Sequence, residues 1–402
     1  MTAAVFAMSE RGHFRRLLPV IAGLARAGVT THVFTDLVFR EEVTRAGGQF
    51  MDLFADHTVQ DADTASTPIP CRFVTFAGRF GDAVVKAAAA LQPSFVLHDT
   101  FAVVGRVVAN HLGVPRINVC AGHNLAPIAT LDALSRDPRV RVADACWAAV
   151  QHLRDRHGMP DASPFSYISA ISATLNLYCE PPQFLRPEER EPFEPLAFFG
   201  SLWPEGMGPG GPTGVMFRQD PAATLRIYAA FGTVIWRYYT EEALTVLEAL
   251  SNALADRHDA EAIIGLGGAS SMDRVGRLAS RNVRIEHYAD QWPLLRHASL
   301  YLTHQGLNST HEAIYHRVPM MSYPFFADQP ALMARCQELG LAVPVVDTLR
   351  GPVAAHDVRV ALDRIVASRA QMTERLAEGR EWELETIRAR PGVIARMIEL
   401  IQ

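Results

Sequence analysis

The sequence predicts an α/β protein with two doubly wound, Rossmann-like domains, and three observations support this fold class. The chain has 402 residues, which is more than one ordinary hydrophobic core accommodates. Short apolar strand patterns alternate with helical patterns in each half, as expected for parallel sheets joined by crossover helices. Between the halves lies WPEGMGPGGPT at 203–213, which is rich in Gly and Pro and has no hydrophobic periodicity.

The first half opens with a strand, a polar turn, a helix and a second strand. Apolar residues recur at helical spacing from Phe14 to Leu24, and Gly28 is placed to end that helix. An Ala/Val-rich helix running to Asn110 follows the third strand. The predicted strands of this half are 3–8, 31–35, 94–97 and 116–119.

The second half repeats this alternation. Helices are predicted from about Glu241, from about Asn308 and over Val393–Ile401. The predicted strands are 225–231, 261–267, 282–288 and 299–303. The predicted organisation is an N-terminal domain at 1–205, a linker at 206–222, a C-terminal domain at 223–385 and a C-terminal helix at 386–402, which we expect to pack back on the N-terminal domain.

Composition excludes several classes of function. The net charge of −5 offers no electrostatic argument for binding nucleic acid or an anionic membrane, and no apolar run approaches the ~20 residues of a membrane span. We interpret the N-terminus as a first strand and not as a signal peptide. The five cysteines are scattered without zinc-site spacing, which favours a reducing cytoplasm. Asp61-Ala62-Asp63 has the form of a metal-binding DxD, but we interpret it as solvated loop, so no metal and no cofactor are expected.

The densest chemical motif follows the strand at 299–303 and runs from Thr303 to Glu312. A glycine-containing turn leads into a helix, whose first amides form an anion site. His304 can donate to a phosphate, Gly306 lets the backbone approach an oxygen, and Glu312 is placed to accept from sugar hydroxyls. The alternative is an ordinary capped helix, with Asn308 or Ser309 as N-cap and Glu312 completing a capping box.

The wider set of motifs resembles the family 1 glycosyltransferases, which include plant UDP-glycosyltransferases and bacterial macrolide and antibiotic glycosyltransferases. The matching residues are HQGLNSTHE at 304–312, RVP at 317–319, ADQ at 327–329, Tyr288 to Gln291 with Leu294-Leu295, Phe231-Gly232-Thr233, Gly12-His13 and Phe198-Phe199-Gly200. The sequence departs from the family pattern at Ala230, Tyr288, Asp290 and Arg317, where the family often has Ser, Trp, Pro and Gly. The resemblance implies a GT-B fold, in which two Rossmann-like domains face a cleft.

The resemblance also implies roles for residues of the donor site. Tyr288 would stack on the nucleobase, the Gln291 region would hydrogen-bond the base edge, and Glu312 would hold the ribose hydroxyls. Asp328 and Gln329 would hold hydroxyls of the transferred sugar. The diphosphate would lie against Gly232, Thr233, His304, Gly306, Asn308 and Ser309. Fixed donors of this kind stabilise a leaving diphosphate without a metal.

Two residues of the first half are candidates for proton transfer. His13 directly follows the first strand, and its ordinary pKa near 6.5 suits a general base. Asp99 ends another strand at the same sheet edge, where it can orient the imidazole, and the resemblance assigns these same two roles. The alternatives are an exposed turn histidine and a helix N-cap. His98 is a second candidate for the supporting role.

The predicted reaction is inverting transfer of a hexose to a hydroxyl of a small natural product, with UDP-glucose favoured over a dTDP-deoxysugar. The acceptor pocket is expected within loops at 50–80 and 120–170, with Phe76, His123 and Phe325 as candidate contacts. The chain is expected to be a cytoplasmic monomer or homodimer. Two alternatives stay open: a nucleotide-sugar epimerase of the same fold, and a non-catalytic donor-binding auxiliary protein.

Overall fold

The computed structural model describes residues 1–59, 70–120, 122–203, 214–218, 223–268, 275 and 278–402. The chain forms two compact units, Met1–Pro204 with Glu385–Gln402 and Glu205–Leu384. The DxD motif at 61–63 lies outside the described residues, as does most of the linker predicted at 206–222. Within the described residues, no helix combines the length and the apolar character that a membrane span requires.

The first unit is built on a seven-stranded parallel sheet with the order β3-β2-β1-β4-β5-β6-β7. The order changes direction between β1 and β4, so the carboxyl ends of these two strands flank the point where doubly wound proteins bind ligands. The strands are β1 Thr2–Phe6, β2 Thr30–Thr35, β3 Gln49–Asp52, β4 Phe95–Asp99, β5 Arg116–Cys120, β6 Leu175–Tyr178 and β7 Leu196–Phe198.

Helices cover both faces of this sheet. Short 3-10 turns occupy Leu37–Phe39, Pro182–Phe184, Pro187–Glu189 and Glu191–Phe193. The helices are α1 Arg11–Arg26, α2 Arg40–Arg45, α3 Arg72–Ala89, α4 Val103–Leu112, α5 Pro127–Arg136 and α6 Asp144–Arg156. Gly78 of α3 packs against the backbone of Ala149 in α6, where a methyl group would lie 2.5 Å from the Ala149 carbonyl oxygen. The absence of a side chain therefore permits the close approach of these two helices.

The second unit repeats the plan with a six-stranded parallel sheet of order β10-β9-β8-β11-β12-β13, and its direction changes between β8 and β11. The strands are β8 Leu225–Ala230, β9 Ala260–Gly265, β10 Val283–Glu286, β11 Leu300–Thr303, β12 Met320–Ser322 and β13 Ala342–Pro344. The helices are α7 Ile235–Tyr238, α8 Thr240–Leu254, α9 Gln291–Leu295, α10 Leu307–His316, α11 Gln329–Glu338 and α12 Ala355–Ala367, and α13 Arg369–Glu399 runs from this unit into residues that belong to the first. The predicted pair of doubly wound α/β domains is thus confirmed.

The last helix differs from its prediction in length. It begins at Arg369, not near 386 or 393, and it continues through Pro391. The prediction rested on the apolar residues of 393–401, whereas a proline usually interrupts a helix because it lacks an amide hydrogen. Tertiary contacts on the C-terminal side hold the helix to the first unit. Arg390 donates to the carbonyl oxygens of Phe199 and Gly200 at 2.8 and 3.3 Å, and Arg396 donates to that of Leu196 at 2.9 Å. The expected return to the N-terminal domain is therefore observed.

Arg317 ends α10 in a left-handed conformation, with φ of 58°. Glycine adopts this conformation without steric cost, which explains physically why the family pattern often has Gly before Val-Pro.

A buried histidine gives the first unit an acid-sensitive stability. His98 of β4 is fully buried; its Nδ1 bonds the Asp99 carbonyl oxygen at 3.0 Å, and its Nε2 lies 3.3 Å from a guanidinium nitrogen of Arg116. Burial, followed by the positive charge of Arg116, lowers the pKa of His98 to about 3. The ring is therefore neutral in the folded protein, whereas the unfolded chain takes up a proton below about pH 6.5.

We expect acid to destabilise the protein through His98. Stability should fall by about 1.4 kcal/mol per pH unit as the pH drops from about 6.5 towards 3, because only the unfolded state binds this proton in that window. Between pH 7 and pH 5 the contribution is about 2 kcal/mol. The variant His98→Asn, although less stable at pH 7, should lose less stability across that range in denaturant unfolding. Equal losses in both proteins would contradict the assignment.

Candidate functional site

His13 lies in the first turn of α1, directly after β1, and its side chain is 17% exposed. The start of this helix is anchored because Arg72 donates to the carboxylate of Glu10, the N-cap residue, at 2.7 Å. His13 is therefore a partly buried residue of an anchored helix, and the alternative of an exposed turn histidine is wrong.

Asp99 holds the His13 imidazole from the neighbouring strand. The His13 Nδ1 lies 3.0 and 3.2 Å from the two carboxylate oxygens of Asp99, whose side chain is 1% exposed. The backbone N–H of Phe101 donates to the same carboxylate at 2.9 Å, and the Phe101 ring stacks on the imidazole with 3.8 Å between centroids. Because α4 has Ala102 as its N-cap, Asp99 is not the cap of that helix. The carboxylate can accept only from a protonated Nδ1, which leaves Nε2 as a proton acceptor.

His98, the second candidate for support, has other partners. Its Nε2 lies beside the Arg116 guanidinium and its Nδ1 bonds the Asp99 carbonyl oxygen. The hydrogen bonds of the described residues thus assign Asp99, and not His98, to the side chain of His13.

In the second unit, the predicted diphosphate residues converge at the point where the strand order changes. Phe231-Gly232-Thr233 follows β8, and His304-Gln305-Gly306 follows β11, which is paired to β8. The two turns therefore lie side by side at the carboxyl edge of the sheet, where parallel strands present their ligand sites.

The His304 imidazole is packed between the two glycines of these turns. A methyl group on Gly232 would lie 3.1 Å from its Nε2, and one on Gly306 would overlap the same nitrogen. Gly232 also has φ of +69°, which favours glycine. Burial lowers the pKa of His304 to about 4, so at neutral pH the ring is neutral and carries one N–H. Its buried Nδ1 has no hydrogen-bond partner among the described residues.

Gln305 shapes this turn, and the sequence pattern did not single it out. The residue is fully buried in the left-handed conformation, with φ of 62°. Its amide nitrogen donates to the Thr310 hydroxyl at 2.9 Å, its amide oxygen accepts from the Ser322 hydroxyl at 2.5 Å, and its backbone N–H donates to Thr303. These bonds compensate for an unfavourable backbone geometry and direct His304 and Gly306 towards the sheet edge.

Helix α10 starts without the cap that the alternative interpretation requires. Its N-cap is Gly306, and no side chain among the described residues caps it. Asn308 and Ser309 lie inside the first turn, so neither is the N-cap and Glu312 completes no capping box. The first-turn amides have no intrahelical partner and point along the helix axis, which is the geometry of an anion site. A buried histidine–carboxylate pair connects α10 to α13, since His311 Nδ1 lies 2.5 Å from a carboxylate oxygen of Glu383.

Gln291 is the centre of a hydrogen-bond network around Glu312. Its amide nitrogen donates to the Glu312 carboxylate at 2.7 Å, and its amide oxygen accepts from the hydroxyls of Tyr301 and Ser309 at 2.7 and 3.3 Å. Tyr301 is fully buried and stacks on Tyr228 with 5.2 Å between centroids. The amide group of Gln291 is thus hydrogen-bonded to Glu312 through its nitrogen and to Tyr301 and Ser309 through its oxygen. The strand pattern at 225–231 and 299–303 marked both tyrosines only as buried strand residues.

Breaking this network should weaken binding of the nucleoside part of a donor. We expect Gln291→Leu to lower affinity for a nucleoside diphosphate about 3- to 10-fold, the scale of one lost hydrogen bond, and to leave affinity for inorganic pyrophosphate unchanged. Tyr301→Phe, which keeps the ring stack and removes only the hydroxyl, should weaken nucleoside diphosphate binding to a smaller extent. Calorimetric titration measures all of these affinities. A parallel loss of pyrophosphate affinity would show that the network supports the phosphate turn instead.

The remaining donor candidates differ in exposure. Tyr288 is 46% exposed, just after β10, so its ring is available for stacking. Thr233 is exposed, whereas Asp328 is half-buried and is the N-cap of α11. Gln329 is 5% exposed, and its amide oxygen accepts from the backbone N–H groups of Phe325 and Phe326 at 2.8 and 3.3 Å. Gln329 therefore also holds the chain segment that precedes it.

The predicted acceptor contacts are buried side chains. Phe76 and Phe325 are core residues at 2% and 0% exposure, and each packs against other aromatic rings of its own unit. His123 is buried and pairs through Nδ1 with Glu180 at 2.7 Å. Side chains that are buried in this way are not available to a ligand in this structure, so their acceptor contacts stay a prediction without support from the burial. A recess scarcely larger than a water molecule is lined in part by Thr100, Asn118, Cys120 and Ile168.

Comparisons with known proteins agree with this architecture. Residues 220–373 match the family model described as UDP-glucoronosyl and UDP-glucosyl transferase. UDP-glucuronosyltransferase 3A1 of Mus musculus is 33% identical over 121 residues, which cover 30% of this chain and 22% of that protein. The match thus spans about a fifth of the length of this curated relative.

Solved structures resemble the chain over nearly its whole length. The glycosyltransferase of kitacinnamycin matches with a TM-score of 0.75 and 19% identity, covering 98% of each chain. The glycosyltransferase VinC, solved in complex with dTDP, matches with a TM-score of 0.66 and 17% identity, covering 100% of this chain and 99% of its own. The protein therefore has the GT-B fold. Its segment 220–373 matches the family model of the UDP-glucoronosyl and UDP-glucosyl transferases, and the resemblance predicted from the motifs is confirmed.

Proposed function

We propose that this chain is an inverting glycosyltransferase that moves a hexose from a nucleoside diphosphate to a hydroxyl group of a small natural product, without a metal. The observation that carries the proposal is the His13–Asp99 pair at the switch point of the first sheet. A donor-binding protein without catalysis has no need of an imidazole that a buried carboxylate orients in this way.

Asp99 prepares His13 to act as a base. The carboxylate holds the Nδ1–H tautomer, the stacked Phe101 ring restrains the imidazole plane, and Nε2 is left to take the proton of the acceptor hydroxyl. As that proton moves to Nε2, the acceptor oxygen forms a bond to the anomeric carbon. The bond from this carbon to the diphosphate oxygen breaks on the opposite side, so the configuration inverts. The positive charge that develops on His13 is stabilised by Asp99.

The second unit would bind the donor and stabilise the departing diphosphate. The first-turn amides of α10, including that of Ser309, the single N–H of His304 and the side chains of Thr233 and Asn308 would supply donors for the charge that develops on the phosphate oxygens. Glu312, held by Gln291, would accept from the ribose hydroxyls, and Asp328 with Gln329 would hold the sugar. These protein donors take the place of a divalent cation.

The favoured donor is UDP-glucose, with a dTDP-deoxysugar as the second candidate. The family description names UDP-linked sugars, which supports the first choice. The complex of VinC with dTDP is the observation that keeps the second open. A thermal-shift screen of UDP, dTDP and their sugars distinguishes the two, since a ligand that binds only the folded state raises its melting temperature.

We expect Tyr288→Ala to weaken nucleotide binding by about 5- to 10-fold, on the ~1 kcal/mol scale of aromatic stacking. The fold should be unaffected because the ring is 46% exposed. Calorimetry with the cognate nucleotide, together with melting temperatures, checks both expectations. Tyr238→Ala, which removes another exposed tyrosine of the same unit, is the matched control and should bind normally. Unchanged affinity in Tyr288→Ala would contradict the stacking role.

Incubation of the donor without an acceptor tests the two alternatives. An epimerase would interconvert sugars in the protein–donor mixture. A transferase would leave the sugar unchanged there, apart from slow hydrolysis by water, and would release nucleotide when an acceptor hydroxyl is added. An auxiliary protein would bind donor and release no nucleotide with any acceptor in a panel of hydroxylated natural products. Nucleotide release that depends on an acceptor, with a glycosylated product of inverted configuration, is the expected result.

A further inference from the structure

A group of potential metal ligands lies on the first unit, outside the proposed catalytic and donor residues. Asp82 belongs to α3, His152 belongs to α6, and His157 caps the C-terminal end of α6. One ligand atom from each can be chosen so that all three lie within 4.8 Å of one another. The Asp82 carboxylate lies 3.8 Å from His157 Nε2 and 3.9 Å from His152 Nε2. In the part of the chain that the structure describes, this is the only such group.

His157 provides an independent reason to expect a ligand. Its side chain is 0% exposed, and neither ring nitrogen has a hydrogen-bond partner among the described residues. Buried imidazole nitrogens normally have partners, because an unpaired polar atom loses its hydration without compensation. The Nε2 faces the Asp82 carboxylate at 3.8 Å, which is too long for a hydrogen bond but allows an ion to lie between them.

The surrounding packing holds this imidazole in place. A methyl group on Gly81 would lie 3.0 Å from His157 Nε2 and 3.1 Å from a methyl of Val107, so glycine leaves the space that the ring occupies. The backbone at the end of α6 is tied to α4, since Asn110 donates to the carbonyl oxygens of His157 and Gly158 at 3.5 and 3.3 Å. His157 is thus a rigid ligand, whereas Asp82 and His152 have exposed, adjustable side chains.

We propose that Asp82, His152 and His157 form a binding site for a divalent transition-metal ion of the zinc type. Two imidazoles and one carboxylate suit Zn²⁺ better than Mg²⁺ or Ca²⁺, which prefer oxygen ligands. Tetrahedral zinc with bonds of about 2.0–2.1 Å separates its ligand atoms by about 3.4 Å, so small rotations of the two exposed side chains complete the geometry. A water molecule would take the fourth position.

The metal would link α6 to α3 and would take no part in sugar transfer. Metal binding requires an unprotonated nitrogen on each imidazole. The competing interpretation is a direct ion pair between protonated His157 and Asp82. That ion pair needs the proton that a metal would displace. The metal site therefore predicts that added zinc binds and raises the melting temperature, whereas the ion pair predicts no zinc binding at these residues.

The test is titration of ZnCl₂ into the chelator-treated and dialysed full chain, followed by calorimetry and by melting temperature. We expect one ion bound per chain and a higher melting temperature. Titration with CoCl₂ should give the visible absorption of a four-coordinate cobalt site. Asp82→Asn and His152→Ala change exposed side chains and should fold, and each should weaken zinc binding at least 10-fold. His157→Ala should abolish zinc binding. If His157→Ala fails to fold, the zinc affinities of Asp82→Asn and His152→Ala still decide the test.

His258→Ala, which removes an exposed histidine of the other unit, is the matched control and should bind zinc like the wild type. Absence of zinc binding, or equal binding by all variants, would overturn the proposal. A zinc-dependent melting temperature that persists in Asp82→Asn and His152→Ala would place the ion elsewhere and would overturn it as well.

Discussion

Replacing His13 with alanine should lower transfer to an aliphatic alcohol by about 100- to 10,000-fold without unfolding the protein. An alcohol is a poor nucleophile until its proton is removed, and His13 is the proton acceptor that Asp99 orients among the described residues of the first unit. An acidic phenol is already partly ionised near neutral pH, so the same variant should lose less activity on it. Initial rates with an alcohol and a phenol, measured at saturating donor, give both effects.

Four further measurements accompany this experiment. His258→Ala should retain full activity, and the melting temperature of His13→Ala should show that the fold persists. Asp99→Asn should also reduce alcohol transfer, because an amide no longer selects the Nδ1–H tautomer of His13. EDTA should leave wild-type transfer intact with either acceptor, and this holds even if zinc leaves the site at Asp82. Full activity of His13→Ala on the alcohol would remove His13 as the base, and inhibition by EDTA would overturn metal independence.

Changing Gly306 to alanine should weaken binding of the nucleoside diphosphate by roughly 10- to 150-fold. The added methyl group would overlap the Nε2 of His304 and lie 2.8 Å from its Cε1, so the imidazole has to leave its position between the two turns. Gly306 has φ of −70°, which any residue adopts, so the effect is steric and not conformational. Loss of a hydrogen bond to a charged group, worth about 1.5–3 kcal/mol, sets the expected range.

A double mutant shows whether this effect acts through His304. If it does, the combination of Gly306→Ala with His304→Ala should bind no more weakly than His304→Ala alone, because contacting residues are not additive. Gly392→Ala is the matched control: its methyl group would meet no atom within 4 Å, and it should bind normally. Fully additive losses would mean that Gly306 acts directly on the ligand and not through the imidazole.

Much of the fold could be predicted because strand and helix periodicity is local. The predicted strands correspond to β1, β2, β4 and β5 of the first unit and to β8, β9, β10 and β11 of the second, with shifted ends. The length of the final helix was missed because its prediction rested on the apolar residues of 393–401, whereas the helix begins at Arg369.

Parts of the site could be predicted equally well, since the motif at 304–312 is continuous in sequence. The supporting residues could not be predicted. Gln305, Tyr228 and Tyr301 act through partners that lie on other strands and helices, so nothing in their local spacing marks them. Conversely, aromatic residues and histidines are typical of ligand pockets, which is why Phe76, His123 and Phe325 were selected. Their burial becomes evident only from the packing of the folded chain.

The sequence by itself determined the two doubly wound domains, the family motif and the residues at the carboxyl edge of each sheet, because these follow from periodicity and from strand ends. Tertiary structure alone decided which of those side chains meet. It pairs His13 with Asp99 across 86 positions, holds Gln291 against Glu312, and places Asp82 beside His152 and His157 on separate helices. The physical reason is that a hydrogen bond or a metal site depends on distances of about 3 Å, which sequence separation does not encode.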